Sequence, residues 1–291
     1  HFESTEQLKT FAWGFSVTAA VVGVYAIVQK ITGWGIPNLY WRVADTRRVT
    51  AFFGYPNAVA LYVELVMPFF VGMFFIVKEW WSRAWFVFVL LVSTLAIIFT
   101  QSSGAAAALV GTAWIFFVAR KQTRVWALAT AVIFTIALVL SPYKQKFADE
   151  FLLQGFSGQI RTHMWHETIE MLKPRWFVGA GLAGYETRVA PYHELKHVEI
   201  YLYPHNLVLT LWSEVGVLGL ISFAWIFGLI FVWMIRVTKQ KKSEPRIWAG
   251  TIIAVLCIIF IHGLVDIPYF KNDFSVLFWI LVAMALQVRY T

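Results

Sequence analysis

Charge is scarce in this sequence: only 14% of its residues are Asp, Glu, Lys or Arg, while 59% are hydrophobic. A soluble globular chain carries about 25% charged residues, so this composition excludes an ordinary water-exposed surface. Cysteine is nearly absent. Cys257 stands alone, which rules out an intrachain disulfide and any site assembled from several thiolates. No internal repeat is evident. The opening residues lack the basic, apolar and small-residue succession of a signal peptide, and the first residue is His1 in place of methionine, so we expect a piece of a longer protein with further helices upstream. The net charge of +8 does not point to a nucleic-acid partner, because the cations are scattered over connections between apolar stretches and form no single basic face.

What the sequence has in excess is apolar and aromatic, with 15 Trp and 26 Phe among 291 residues. A membrane-spanning helix needs about 20 apolar residues, fewer where its ends snorkel. Eight stretches qualify: 11–28, 58–77, 84–100, 104–119, 125–140, 206–235, 247–265 and 274–288. The expected fold is an all-α integral membrane protein, a polytopic bundle of about eight transmembrane helices forming one membrane domain over 1–291.

Orientation follows from the short basic loops, which mark the cytoplasmic side. Lys78 and Arg83, then Arg120, Lys121 and Arg124, then Arg236, Lys239, Lys241, Lys242 and Arg246 occupy alternate connections. Segments 29–57, 141–204 and 263–273 are therefore expected outside. The large segment 141–204 reads as structured, with helical periodicity through RTHMWHETIEMLK and a glycine-rich VGAGLAGYE turn. The first outer loop carries ITGWGIPNLYWRV, whose aromatics suit a hairpin or short helix at headgroup level.

The chemically unusual stretch is YLYPHNLVLTLWSEVGVLGL, from Tyr201 to Leu220. Pro204 sets the backbone just before an apolar helix, so His205 and Asn206 fall at the helix mouth, where unpaired backbone donors favour anions. A neutral imidazole there can take a proton from a hydroxyl while anionic groups bind nearby. The competing reading is a capped membrane helix with an interfacial histidine. Glu64 and Glu214 are carboxylates within apolar stretches, read as internal polar contacts near the site. Gly216 and Gly219 read as close helix packing. The pairs His163/His166 and His193/His197 have metal-ligand spacings; without cysteines or converging carboxylates they read as a solvated helix face, and no metal is expected.

Three outer features fall in order: Arg48 in RVTAFFGYPN, Arg161 in GQIRTHMWHETIEMLKPRWFVGAGLAGYE, and His205 in YPHNLVLTLWSEVGVLG. In order and context they resemble the O-antigen ligase and polymerase superfamily, the bacterial Wzy-like and lipid A-core:O-antigen ligase-like membrane glycosyltransferases. That family has an arginine before a Gly-x-Phe…Pro-Asn turn, an arginine in the large outer loop ahead of Trp, Pro and Gly-x-Gly, and a His-Asn opening the next helix before Glu-x-Gly. Ala51 stands where the family usually has glycine, Tyr55 where asparagine is common, and TQSSGAAAALV lacks the arginine of the family's Thr-x-Ser-Arg-Gly helix start.

The resemblance implies a GT-C-like transferase at the outer face of the cytoplasmic membrane, using no cofactor. Its partners would be an undecaprenyl-pyrophosphate-linked glycan donor and a glycan, lipid or other hydroxyl acceptor, within membrane lipid. Arg48 and Arg161 would clamp pyrophosphate oxygens and stabilise the leaving group, and His205 would deprotonate the acceptor. Arg47, Asn57, Asn206 and Glu214 are the expected substrate contacts or motif supports. A different class, a transporter or flippase for a lipid-linked glycan or small anionic solute, would use the same arginines; charges through the membrane and helices broken at its midplane would mark it.

Overall fold

Apolar stretches surrounded by lipid must bond their own backbone groups, and a helix does so within one segment. The computed structural model of the chain describes residues 4–141, 144–268 and 272–290, and no strand occurs among them. Twelve α-helices run through these residues: α1 (Thr5–Thr32), α2 (Leu39–Arg42), α3 (Pro56–Ile76), α4 (Trp80–Thr100), α5 (Ser103–Ala119), α6 (Arg124–Leu140), α7 (Lys144–Phe151), α8 (Phe156–Leu172), α9 (Tyr185–Val189), α10 (Leu207–Val237), α11 (Ser243–Gly263) and α12 (Asn272–Tyr290). Each of the eight expected stretches coincides with a helix. Among the described residues, α1, α3, α4, α10 and α11 are long and apolar enough to cross a membrane, while α5, α6 and α12 contribute shorter apolar helices. The protein is thus a helical, multi-pass membrane protein. Residues 269–271 of the connection expected outside lie beyond the described residues.

The chain divides into two compact units, His1–Leu109 with Phe227–Ile259 and Lys271–Thr291, and Val110–Ile226 with Phe260–Phe270. In the first unit α1, α3 and α4 pack around Val22, Val59, Ala60, Val63 and Ile97. Polar side chains bridge the helices: Thr18 bonds the Tyr62 phenol, and Trp85 Nε1 donates to the buried Ser16 Oγ at 2.9 Å. The loop over residues 33–55 contains the short α2, with Leu39 and Tyr40 in it and Trp34 before it exposed, the short helix that its aromatics suggested. Ala51, at the family's usual glycine position, has φ of 43°, a left-handed conformation that side chains disfavour. The fully buried Gln29 holds that turn: its Oε1 accepts the N–H groups of Thr50 (2.9 Å) and Ala51 (2.7 Å), and its Nε2 donates to the Ala51 carbonyl (3.3 Å).

In the second unit segment 144–204 is folded, as its periodicity suggested. Met171 and Leu172 of α8 pack against Tyr185 and Val189 of α9, and Thr168 Oγ1 and the Tyr185 hydroxyl are hydrogen-bonded at 2.8 Å. Burial pushes the Tyr185 phenol up to about 12, the Thr168 hydrogen bond partly offsetting it. His193 does not belong to a solvated face. Its Nδ1 lies 3.2 Å from Glu167 Oε2 and its Nε2 lies 3.0 Å from the Val198 carbonyl, with Glu167 only 3% exposed.

Helix α10 is broken. Gly216 has φ 70° and ψ −178°, a backbone state open essentially to glycine alone. The glycine-rich turn fills the break: Val217 N–H donates to the Phe177 carbonyl (3.0 Å), and the Ser213 carbonyl accepts from Ala180 N–H (2.6 Å). A Cβ on Gly216 would collide with the Phe177 carbonyl oxygen. Gly216 therefore serves a backbone break and loop docking, not the helix–helix contact expected of it.

Candidate active site

Pro204 and the N-cap shape the second unit's site. Asn206 Oδ1 accepts from Leu209 N–H at 3.0 Å, capping α10, while its Nδ2 donates to the Leu264 carbonyl at 2.9 Å. Both ends of the Asn206 side chain thus work within the protein, tying the helix mouth to the turn after α11. His205, just outside the helix with φ of 48°, turns its ring into that junction. Its Nδ1 lies 3.0 Å from Asp266 Oδ1.

Asp266 is 1% exposed and its Oδ1 also accepts the Ile267 N–H at 2.8 Å. Burial opposes the charged carboxyl, but the His205 hydrogen bond and charge, His262 and the Ile267 N–H outweigh it, holding Asp266 well below the ordinary carboxylate range. An ionised carboxylate can only accept, so the proton between the two sits on His205 Nδ1. In the neutral ring, Nε2 then carries the lone pair. The rings of Tyr201 and Tyr203 stand edge-on to His205, with centroids at 5.4 and 5.2 Å. Burial, with the Asp266 charge beside it, raises the Tyr203 phenol and keeps it protonated.

Arg161 approaches the same junction through α8. Trp165 Nε1 donates to the Pro204 carbonyl at 2.9 Å, and Arg161 precedes Trp165 by one helical turn, on the same face. Arg161 is a half-buried residue that forms no hydrogen bond or ion pair among the described residues, in contrast to Arg48. Glu214 accepts the Ala183 N–H through Oε2 at 2.6 Å and is 7% exposed. It fastens the glycine-rich turn to α10, the internal polar contact that its position suggested.

The first unit holds Arg48, Arg47 and Asn57. Arg48 Nε donates to the Thr100 carbonyl at the end of α4 (2.7 Å), where a cation is favoured by the helix dipole, and Nη2 donates to Asn57 Oδ1 (3.0 Å). Asn57 therefore aims Arg48. Arg47 turns the other way: Nη1 donates to the Lys30 (2.8 Å) and Ile31 (2.9 Å) carbonyls and Nε to the Arg42 carbonyl (3.2 Å), capping the end of α1. His163 and His166 are exposed beside Glu194 and Glu170. No group of three or more His, Cys, Asp or Glu able to hold a metal gathers among the described residues.

Asp266 is the candidate site residue that motif reading missed. It lies 61 residues from His205, in a short turn whose composition carries no signal, and only the folding of α11 back to the mouth of α10 reveals it. A search of curated protein sequences finds no match to the chain. A family model described as O-antigen ligase matches residues 86–224, a stretch that includes Arg161, His205, Asn206 and Glu214. With the ordered succession of Arg48, Arg161 and His205 and the multi-pass helical fold, that match supports an O-antigen ligase/polymerase assignment, carried by the region over residues 86–224.

Proposed function

We propose that this membrane enzyme transfers a glycan from an undecaprenyl-pyrophosphate carrier to a hydroxyl acceptor at the outer face of the cytoplasmic membrane, as a ligase or polymerase. The His205–Asp266 hydrogen bond carries this reading. With the proton kept on Nδ1, His205 Nε2 takes the acceptor's hydroxyl proton while the acceptor oxygen bonds to the anomeric carbon of the donor glycan. The bond from that carbon to the pyrophosphate oxygen breaks, and the departing pyrophosphate takes the electron pair. Arg161, and Arg48 held by Asn57, offer fork-shaped positive charge to the oxygens where that negative charge grows. Asn206 and Glu214 support the site by positioning the helix mouth and the glycine-rich turn, and Arg47 shapes the turn that carries Arg48. The step uses only these side chains. Segment 141–204 lies outside the cytoplasm in this reading.

The break in α10 is the feature that favours a transporter or flippase instead, since such proteins bind solutes at unwound helices. Here the Val217 N–H and the Ser213 carbonyl at the break are already bonded to residues 177 and 180, which supports the transferase reading. The deciding test reconstitutes the protein in vesicles with an undecaprenyl-pyrophosphate-linked glycan and a panel of glycan, lipid and peptide hydroxyl acceptors. Glycosylated acceptor formed by wild type and lost in His205→Ala is the expected result. Donor translocation with no product on any acceptor would overturn the proposal.

A further inference from the structure

The 31 residues of α10 would make about 46 Å at 1.5 Å per residue, well beyond the ~30 Å hydrocarbon core. The break at Gly216 accounts for the excess. The part after it, ending at Val237, rises about 31 Å and runs into the basic cluster of Arg236, Lys239, Lys241 and Lys242, which anchors its cytoplasmic end. Gly216 then lies at the outer hydrocarbon boundary, so this is not a midplane break.

The glycine-rich turn is bonded to that level of the helix. The Trp176 carbonyl accepts from Trp212 Nε1 at 2.5 Å, the Phe177 carbonyl accepts from Val217 N–H, Ala180 N–H donates to the Ser213 carbonyl, and Ala183 N–H donates to Glu214. With its backbone thus engaged, the turn points its largest apolar side chains outward: Trp176 is 59% exposed, Phe177 47%, Val178 66% and Leu182 76%. Four large apolar residues within seven positions would form a costly patch in water, and aromatic residues of this kind favour the headgroup boundary.

We infer that residues 176–182 are inserted into the outer bilayer interface, forming a lipid-facing wedge whose backbone plugs the broken helix. The partner is the bilayer surface itself. The wedge sets the depth of the His205 mouth above the membrane: Gly216 follows Leu207 by nine helical steps, a rise of about 14 Å. The inference rests on the membrane reading of α10 and is independent of the transfer chemistry.

The test uses the full chain in a Cys257→Ser background, with single cysteines at Val178, Leu182, Lys196 or Trp225, each carrying an environment-sensitive fluorophore. The labelled proteins are reconstituted in phosphatidylcholine and phosphatidylglycerol vesicles whose lipids bear a nitroxide either at the headgroup or deep on an acyl chain. Labels at 178 and 182 should lose most of their fluorescence to the headgroup nitroxide and resist aqueous iodide, while the label at 196 does the reverse. The label at 225, within the span, should be quenched by the acyl-chain nitroxide. If 225 responds in that way but 178 and 182 respond only to iodide, or only to the deep nitroxide, the wedge is wrong while the spanning helix stands. If 225 also answers only to iodide, the membrane reading of α10 falls with it.

Discussion

Replacing Asp266 with asparagine keeps an oxygen near His205 Nδ1, 3.0 Å away in the native protein, and an acceptor for the Ile267 N–H, but it removes the charge. Hydrogen bonds to charged groups are worth about 1.5–3 kcal/mol, and at 1.36 kcal/mol per decade that is a ~10- to 150-fold loss of rate if the lost interaction stabilises the imidazolium formed in transfer. A second effect adds to it. If the amide turns its NH2 toward the ring, the proton is driven to Nε2 and the base presents the wrong nitrogen; in hydrolases built on a His–Asp pair that substitution costs ~10⁴-fold. Asp266→Asn should therefore lower transfer by ~10²-fold or more while donor binding is retained.

The assay measures donor-lipid binding and single-turnover transfer separately, together with thermal unfolding in the same lipid. Because the folded Asp266 carboxyl titrates below its unfolded value of about 3.9, its stabilisation is present above that pH and is lost as pH falls toward the folded value. The wild type should thus converge on the variant's stability only on strong acidification. Wild-type turnover in a correctly folded Asp266→Asn would refute the assignment of Asp266 as the group that orients His205.

His205→Ala should retain donor binding and lose transfer by roughly 10²-fold or more, and because it strands the buried Asp266 charge it should also lower the unfolding midpoint; abolished binding with an unchanged rate per bound donor would make the residue a donor ligand. Arg161→Lys and Arg48→Lys should each lose most transfer despite keeping charge, since one ammonium cannot reproduce a two-pronged contact; the readout is turnover at saturating donor. Gly216→Ala should destabilise by about 1–3 kcal/mol from its backbone conformation alone, with a further penalty at the Phe177 carbonyl, whereas Gly228→Ala, which meets open space in the same helix, should be neutral or slightly stabilising; paired thermal melts test this. His163→Ala should be mild, but His193→Ala deprives the buried Glu167 of a partner and should lower stability by about 1–3 kcal/mol while leaving transfer per folded molecule unchanged. A cysteine at Lys196 in the Cys257→Ser background should react with an impermeant thiol reagent once the outer barrier is opened; labelling only after inner-membrane rupture would reverse the topology.

The helical stretches were legible because hydropathy is a local property, summed along the chain without knowledge of what packs where. Arg48, Arg161 and His205 were picked out as candidates for a different reason: short motifs preserve the order of polar groups around a turn. The partners of those groups were not. Asn57 and Asn206 read as substrate contacts, yet their amides are turned onto Arg48, Leu209 and Leu264. His193 read as solvated, since its exposed and buried orientations have the same helical spacing until α8 and the 193–198 turn meet. Gly216 read as a packing residue because a glycine in an apolar run looks the same whether it admits a neighbouring helix or leaves the helix altogether. Its positive φ becomes favourable only when the backbone of residues 177–180 supplies the hydrogen bonds that α10 gives up. The sequence by itself therefore determined a multi-pass helical protein and the candidate groups for its chemistry. Which atom of His205 carries the proton was decided only by tertiary structure, because a buried carboxylate 61 residues away selects the tautomer through a contact that no local pattern encodes.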